Sequence, residues 1–223
     1  KVTDISKGRV KTIDREFDCD LVVSAGGNSA PANPNAKYSC SGVAIFAALR
    51  EPLPGNTVTH SVVMPDDPAA LHRDLEARRD PKQTMAFVNY YKAGEIYDNQ
   101  LATVAVLLAA PANGKSYNLE SEFVRSELNR ISQEIGLSKP IDEMFADYKI
   151  FDPAYFASWG SNGGALYGKV HPVWRSGPFH YPGYRSLTKP WMWRVGAGVH
   201  PGGGIPAVLG GAMNSVELLL RAN

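Results

Sequence analysis

Residues 195–212 read VGAGVHPGGGIPAVLGGA, and seven of these eighteen positions are glycine. Glycine weakens a helix or strand by roughly 0.5–1 kcal/mol relative to alanine. Such density is tolerated where a backbone must adopt left-handed angles or lie close against another group. An apolar strand at 191–195 leads into the segment, and a helix opens at Ile205-Pro206. Proline in a first helical turn forfeits no hydrogen bond, because an amide there has no helical partner. The free N–H groups and positive dipole end of that helix favour negative charge in front of it.

A dinucleotide-type G-x-G-x-x-A pattern can be laid on Gly202, Gly204 and Ala207, but its context is wrong. His200-Pro201 precede it where a strand should, and no acidic residue stands about 20 positions further on. A strand, a Gly-Ala-Gly turn, a loop and a helix remain.

Upstream, VTDISKGRVKTI alternates around a Lys7-Gly8 turn, and DREFDCDLVVSAGG ends in an apolar run at 21–23 that reads as buried. The proline-rich stretch 28–37 marks a boundary between lobes. Strands are predicted at 41–49, 56–64, 84–91 and 101–110, with a helix over 66–80 that starts with Asp67 as N-cap and Pro68 at its first position. Val124, Leu128, Ile131 and Ile135 recur at helical spacing between a capping Ser121 and a terminating Gly136. A short helix at 140–146, a strand at 148–151 and an Asp-Pro helix start at 152 follow. This mixture gives an α+β, or mixed α/β, fold class.

A formal net charge of +1 argues against nucleic acid or an anionic membrane as the main partner. The longest apolar run, 101–111, is far too short to span a bilayer. Cys19 and Cys40 form neither a disulfide framework nor a metal cluster and read as reduced core residues of a cytosolic protein. His60, His72, His171 and His180 lack metal-ligand spacing. The start, KVTDI, without an initiating methionine, implies a truncated, processed or separately defined chain.

The stretch WMWRVGAGVHPGGGIPAVLGGAMNSVELLL resembles the C-terminal signature of the bacterial-type phytoene desaturases, FAD-dependent enzymes among the amine-oxidase-like flavoproteins. FASWGSNGGALYGKVHP (156–172) and VTDI…DCDLVVSAGG (2–27) resemble, more loosely, the segments where such chains return to their FAD domain. Two positions depart from the signature: Ala207 stands where glycine is common, and Arg194 where a strand residue is usually apolar.

The resemblance implies the C-terminal part of a two-lobe FAD-binding flavoprotein lacking the N-terminal Rossmann unit. Residues 1–30 would be returning strands of the FAD domain and 31–150 a substrate-binding lobe of antiparallel sheet and helices. A crossover would occupy 151–186, and 187–223 would supply the last strand and helix. FAD would contact Val2, Gly196, Ala197, Gly198, Gly204, Ile205, Pro206, Ala207 and Val208. Tyr167 and His200 are the substrate-side candidates, although His200 reads more readily as a loop residue that fixes backbone geometry than as a proton-transfer group.

No catalytic side chain is assigned, because the flavin accepts the hydride itself. The implied partners are an N-terminal FAD-binding half, from the same precursor or a separate subunit, and a hydrophobic polyene or ring-containing substrate. The implied location is the cytoplasm or a membrane periphery. A non-catalytic binding or assembly subunit, or an amine-oxidase-like enzyme, is the alternative. Gly210 and Gly211 read as packing glycines, met by a neighbouring helix. The aromatic run from Tyr155 to Trp193 divides between core and pocket, and the ARRD charges at 77–80 read as a solvated helix end.

Overall fold

The computed structural model describes residues 2–26, 37–170 and 182–222. The fold is mixed α+β, as the sequence predicts. It divides into two compact units, Lys1–Pro34 with Tyr167–Asn223, and Asn35–Leu166. Gly27, most of the 28–37 loop, His171, Trp174, Phe179, His180 and Tyr181 lie outside the described residues.

The second unit is built on a five-stranded antiparallel sheet. Its strands are β5 (Ser41–Leu49), β6 (His60–Val63), β7 (Ala86–Tyr91), β8 (Thr103–Ala110) and β9 (Phe145–Phe151), in the order β6-β7-β8-β5-β9. Alternation sends Val43, Ile45, Ala47 and Leu49 of β5 to one face, with Val104, Val106, Leu108 and Ala110 of β8 beside them. Helix α2 (Glu122–Glu134) closes that face with Val124, Leu128 and Ile131, all at 0% exposure. Burying each such side chain contributes about 1.5–3 kcal/mol.

Polar groups lock the same contact. Arg130 donates to the Glu127 carboxylate at 2.6 Å, to Met64 O at 3.0 Å and to Thr84 O at 2.5 Å, although Glu127 is only 1% exposed. Ser132 Oγ donates to Leu128 O and accepts the Ile141 N–H.

Helix α1 (Pro68–Glu76) begins as predicted: Asp67 accepts the Ala70 N–H at 2.9 Å. Asp152 likewise accepts the Tyr155 N–H at the start of α3 (Pro153–Ser158). Ser121 does not cap α2 with its side chain; its hydroxyl is drawn back to Asn118, whose N–H it accepts and whose Oδ1 it meets. The expected 140–146 helix is a single 3-10 turn, Ile141–Met144, and β9 starts directly after it. Strand β6 begins late because a turn closed by Thr57 N–H to Pro54 O consumes its first residues.

Residues 152–166 pack within this unit. Ser41 Oγ donates to Gly164 O at 2.7 Å and Leu166 N–H to Cys40 O at 3.1 Å. The 77–80 charges are not simply solvated: Arg79 pairs with Asp74, and Asp80 accepts from the Tyr117 hydroxyl at 2.5 Å.

In the first unit, β1 (Val2–Ser6), β2 (Arg9–Thr12) and β3 (Glu16–Asp18) form an antiparallel meander, turning at Gly8 with φ of 81°. Separately, β4 (Val22–Ser24) pairs in parallel with β10 (Met192–Arg194), and α4 (Ile205–Ala222) follows. The core here is small: Tyr184, Trp193 and Val199, with Leu219 against them. The 21–23 run is therefore not buried as expected; β4 has few side chains to cover it, and Val23 is exposed. Both cysteines are free but half-buried, not core residues. No helix among the described residues is long and apolar enough to cross a membrane.

Candidate functional site

The glycine-rich segment leaves the carboxyl end of β10, where β4 also ends. Val195 N–H donates to Ser24 O at 3.0 Å, and the chain turns at Gly196 with φ of 101°. A Cβ at Gly196 would lie 3.3 Å from Ala25 O, so the two strand ends touch through backbone. Ala197 and Gly198 complete a turn closed by Val199 N–H to Gly196 O. Val199 is the segment's buried anchor, in the small core with Tyr184 and Trp193.

His200 is held by its backbone. Its N–H donates to Pro182 O at 2.9 Å, the His200-Pro201 peptide is cis, and its carbonyl lies against α4. A Cβ at Gly211 would come within 2.7 Å of that carbonyl oxygen and 3.2 Å of Pro201 Cδ. The close approach expected at Gly211 is real, but it comes from the chain's own loop and not from another helix. Among the described residues, none outside the helix's own turn lies within 4 Å of the missing Cβ of Gly210.

Tyr167 and the glycine loop are brought together. The Tyr167 ring takes the place a Gly203 side chain would occupy, with a ring carbon 2.0 Å from the ideal Cβ position. On either side, Gly202 and Gly204 have φ of 109° and 95°, and among the described residues nothing beyond the adjoining ones lies within 4 Å of a Cβ built on either, or on Gly198. The result is a bare backbone surface bordered by one tyrosine ring.

The loop delivers its glycines to the start of α4. The first helical bond runs from Val208 N–H to Gly204 O, so the Ile205 and Ala207 amides precede the helical ladder, and Pro206 has none to offer. No acidic side chain stands in that first turn, leaving the positive end of the dipole uncompensated by the helix's own residues. Ile205 is exposed and Ala207 and Val208 are half-buried.

Val2 is exposed on β1 and registered with Thr12. Arg194 ends β10 half-buried, its N–H donating to Tyr184 O and its carbonyl accepting the Ser215 hydroxyl of α4.

In the second unit, a feature not singled out from the sequence is the outer face of the sheet. Register places Val62, Phe87, Leu107, Ala44 and Phe151 in one row across five strands, all on the side away from α2. Its sequence signal is apolar residues at both parities of SGVAIFAAL and TVAVLLAA, the pattern of strands covered on both faces. Phe46, Phe151, Tyr155 and Trp159 continue as an aromatic chain with centroid steps of 5.9, 4.6 and 6.1 Å.

Perturbed titrating groups lie elsewhere and are structural. Burial and then the Asp80 hydrogen bond push the Tyr117 phenol well above its usual range, and burial raises the Cys40 thiol. Among the described residues no His, Cys, Asp and Glu cluster could hold a metal ion. No protein-family model matches the chain, and no curated protein matches it.

Proposed function

We propose that this chain is the flavin-covering and substrate-binding portion of an FAD-dependent oxidoreductase that dehydrogenates an apolar substrate. The observation that carries this reading is the bare glycine surface at Gly198, Gly202 and Gly204 leading into an uncompensated helix start. A planar ring system can lie against backbone only where no Cβ intervenes, and these are such positions. The fit is partial: the loop suits the isoalloxazine end, whereas the chain offers no glycine fingerprint for the diphosphate. That part would fall to an N-terminal FAD-binding half carrying a Rossmann unit, from the same precursor or a separate subunit.

Bound FAD would supply the electron acceptor for dehydrogenation. The chain's residues orient and tune. The Ile205 and Ala207 amides and the α4 dipole favour negative charge over the ring's pyrimidine edge. Tyr167, packed on Gly203, borders the surface and limits how a ring can sit. His200 serves here as a loop anchor, its backbone holding the turn that presents these glycines. The second unit carries an apolar sheet face of its own, in keeping with an apolar polyene or ring-containing substrate.

Native mass spectrometry of the chain isolated with its natural partner tests this reading. Expected is a complex heavier by one FAD, with Gly204→Val releasing the flavin while the two polypeptides stay together. A stable complex without flavin would overturn the enzyme reading in favour of a binding or assembly subunit.

A further inference from the structure

Strand β9 is an edge of the second unit's sheet, and its consecutive residues Ala146, Asp147, Tyr148 and Lys149 are exposed. An open strand edge is a template for another strand, and proteins commonly guard it with charge or a bulge. Register sets which backbone groups β9 leaves open. Leu49 N–H donates to Ala102 O on the β8 side of β5. By alternation, Ala44, Phe46 and Ala48 turn their groups to β9, where Phe151, Lys149 and Asp147 stand opposite. Tyr148 and Ile150 therefore turn N–H and C=O away from β5. The Tyr148 N–H agrees: it donates to the Asp147 carboxylate at 2.9 Å and not to a strand.

The guard on this edge has a symmetry. Asp147 and Lys149, opposite in charge, flank Tyr148. Both stand on the outer face of the sheet, registered with Ala48 and Phe46, while Tyr148 is on the other face, registered with the buried Ala47. Neither charge has an ion-pair partner among the described residues. Lys149 Nζ lies 5.3 Å from the Phe151 ring centroid, and the Asp147 carboxylate accepts the neighbouring amide.

An antiparallel second copy of this strand, set with Tyr148 opposite Tyr148, meets each charge with its opposite. Asp147 then faces Lys149 of the second copy, and Lys149 faces Asp147 of the second copy. The two tyrosines exchange both backbone hydrogen bonds across the axis. A strand of arbitrary sequence gains no such match, so charges that repel other strands select a copy of this one.

Such a pairing is isologous and uses up the edge it is made from, so it closes at two chains. The opposite edge, β6, has four residues and no pair of opposed charges, and joining it to β9 of another copy would leave free edges to grow from. Ala146 lies where the register with β5 shifts, and the regular edge ends there. The contact is therefore short, below the roughly 800 Å² per partner of a standing complex, and belongs with weak, concentration-dependent associations.

We propose that a second copy of the chain adds to β9 about a two-fold axis at Tyr148, joining the two five-stranded sheets into one continuous sheet with an Asp147–Lys149 pair on each side of the axis. This pairing is independent of the oxidoreductase reading.

Sedimentation equilibrium of the full chain, from micromolar to millimolar concentration, tests it. Expected is a monomer–dimer equilibrium with no larger species. Asp147→Lys and Lys149→Asp each set like charges opposite one another and should weaken the dimer by about tenfold. An equimolar mixture of these two variants restores both opposite-charge pairs and should dimerise as the unsubstituted chain does. Tyr148→Pro removes an amide that β5 does not use and should abolish the dimer.

A chain that stays monomeric throughout would overturn the proposal. So would a dimer indifferent to both single exchanges, or one that the mixture fails to recover. Circular dichroism of each variant checks the fold, and the charge exchanges decide alone should the proline variant unfold.

Discussion

Gly210 and Gly211 are adjacent in α4, yet alanine should act on them in opposite directions. At Gly210 a Cβ meets no other described residue within 4 Å outside its own helix, so Gly210→Ala should add mainly helix propensity, about 0.5–1 kcal/mol of stabilisation. At Gly211 the same propensity gain is set against a Cβ 2.7 Å from His200 O and 3.2 Å from Pro201 Cδ. Ordinary carbon–oxygen contact requires the loop or helix to retreat by roughly half an ångström. Overpacking of this kind costs about 1–3 kcal/mol, and the obstacle is backbone already fixed by the His200 N–H bond to Pro182. Gly211→Ala should therefore destabilise by about 1–2 kcal/mol net.

Denaturant unfolding followed by tryptophan fluorescence reports on this, since Trp193 lies in the core that α4 covers. Hydrogen exchange of the α4 amides separates local loosening from global loss. The reasoning fails if Gly211→Ala stabilises the protein as Gly210→Ala does, or if Gly210→Ala destabilises it.

Two further outcomes follow from the second and first helices of the sheet unit. Arg130→Met leaves Glu127 buried without its partner and should cost about 3–5 kcal/mol, whereas the double variant Glu127→Leu/Arg130→Met should recover most of it; urea midpoints of the three proteins decide. Asp67 is held below the usual carboxylate range, first by the Ala70 N–H and then by Arg73. A depressed folded-state pKa means its contribution is complete above the unfolded value and is lost as pH falls through the folded one. Acid titration by circular dichroism should show α1 loosening below about pH 4, and Asp67→Asn should remove that step while keeping the cap.

The sheet unit was legible because its residues obey local rules. Val124, Leu128 and Ile131 declare a helix face by spacing, and Asp67-Pro68 declares a helix start by chemistry. What spacing could not show was competition between neighbours. Ser121 has the right identity for a cap, but Asn118, three residues earlier, captures its hydroxyl. The 21–23 run has the composition of a buried strand, yet burial depends on what packs over it, and among the described residues β4 has one strand partner, β10. At the candidate site, the loop, the helix start and the role of Gly211 in a close approach could be read from the sequence. That the approaching group is His200 could not, because the contact depends on how the loop folds back.

The parallel pairing of β4 with β10 joins residues 22–24 to 192–194, with the whole sheet unit between them. A flexible loop of that length would charge about 4–5 kcal/mol in closure entropy against three residue pairs. Synthesis from the N-terminus presents β4 long before β10 exists. The sheet unit, whose strands and helices find their partners within its own span, can form first, and the β4–β10 pairing is then a closing event. The glycine loop and α4 come after that event in the chain. The candidate cofactor surface is thus made after the sheet unit, and its presentation waits on the β4–β10 pairing.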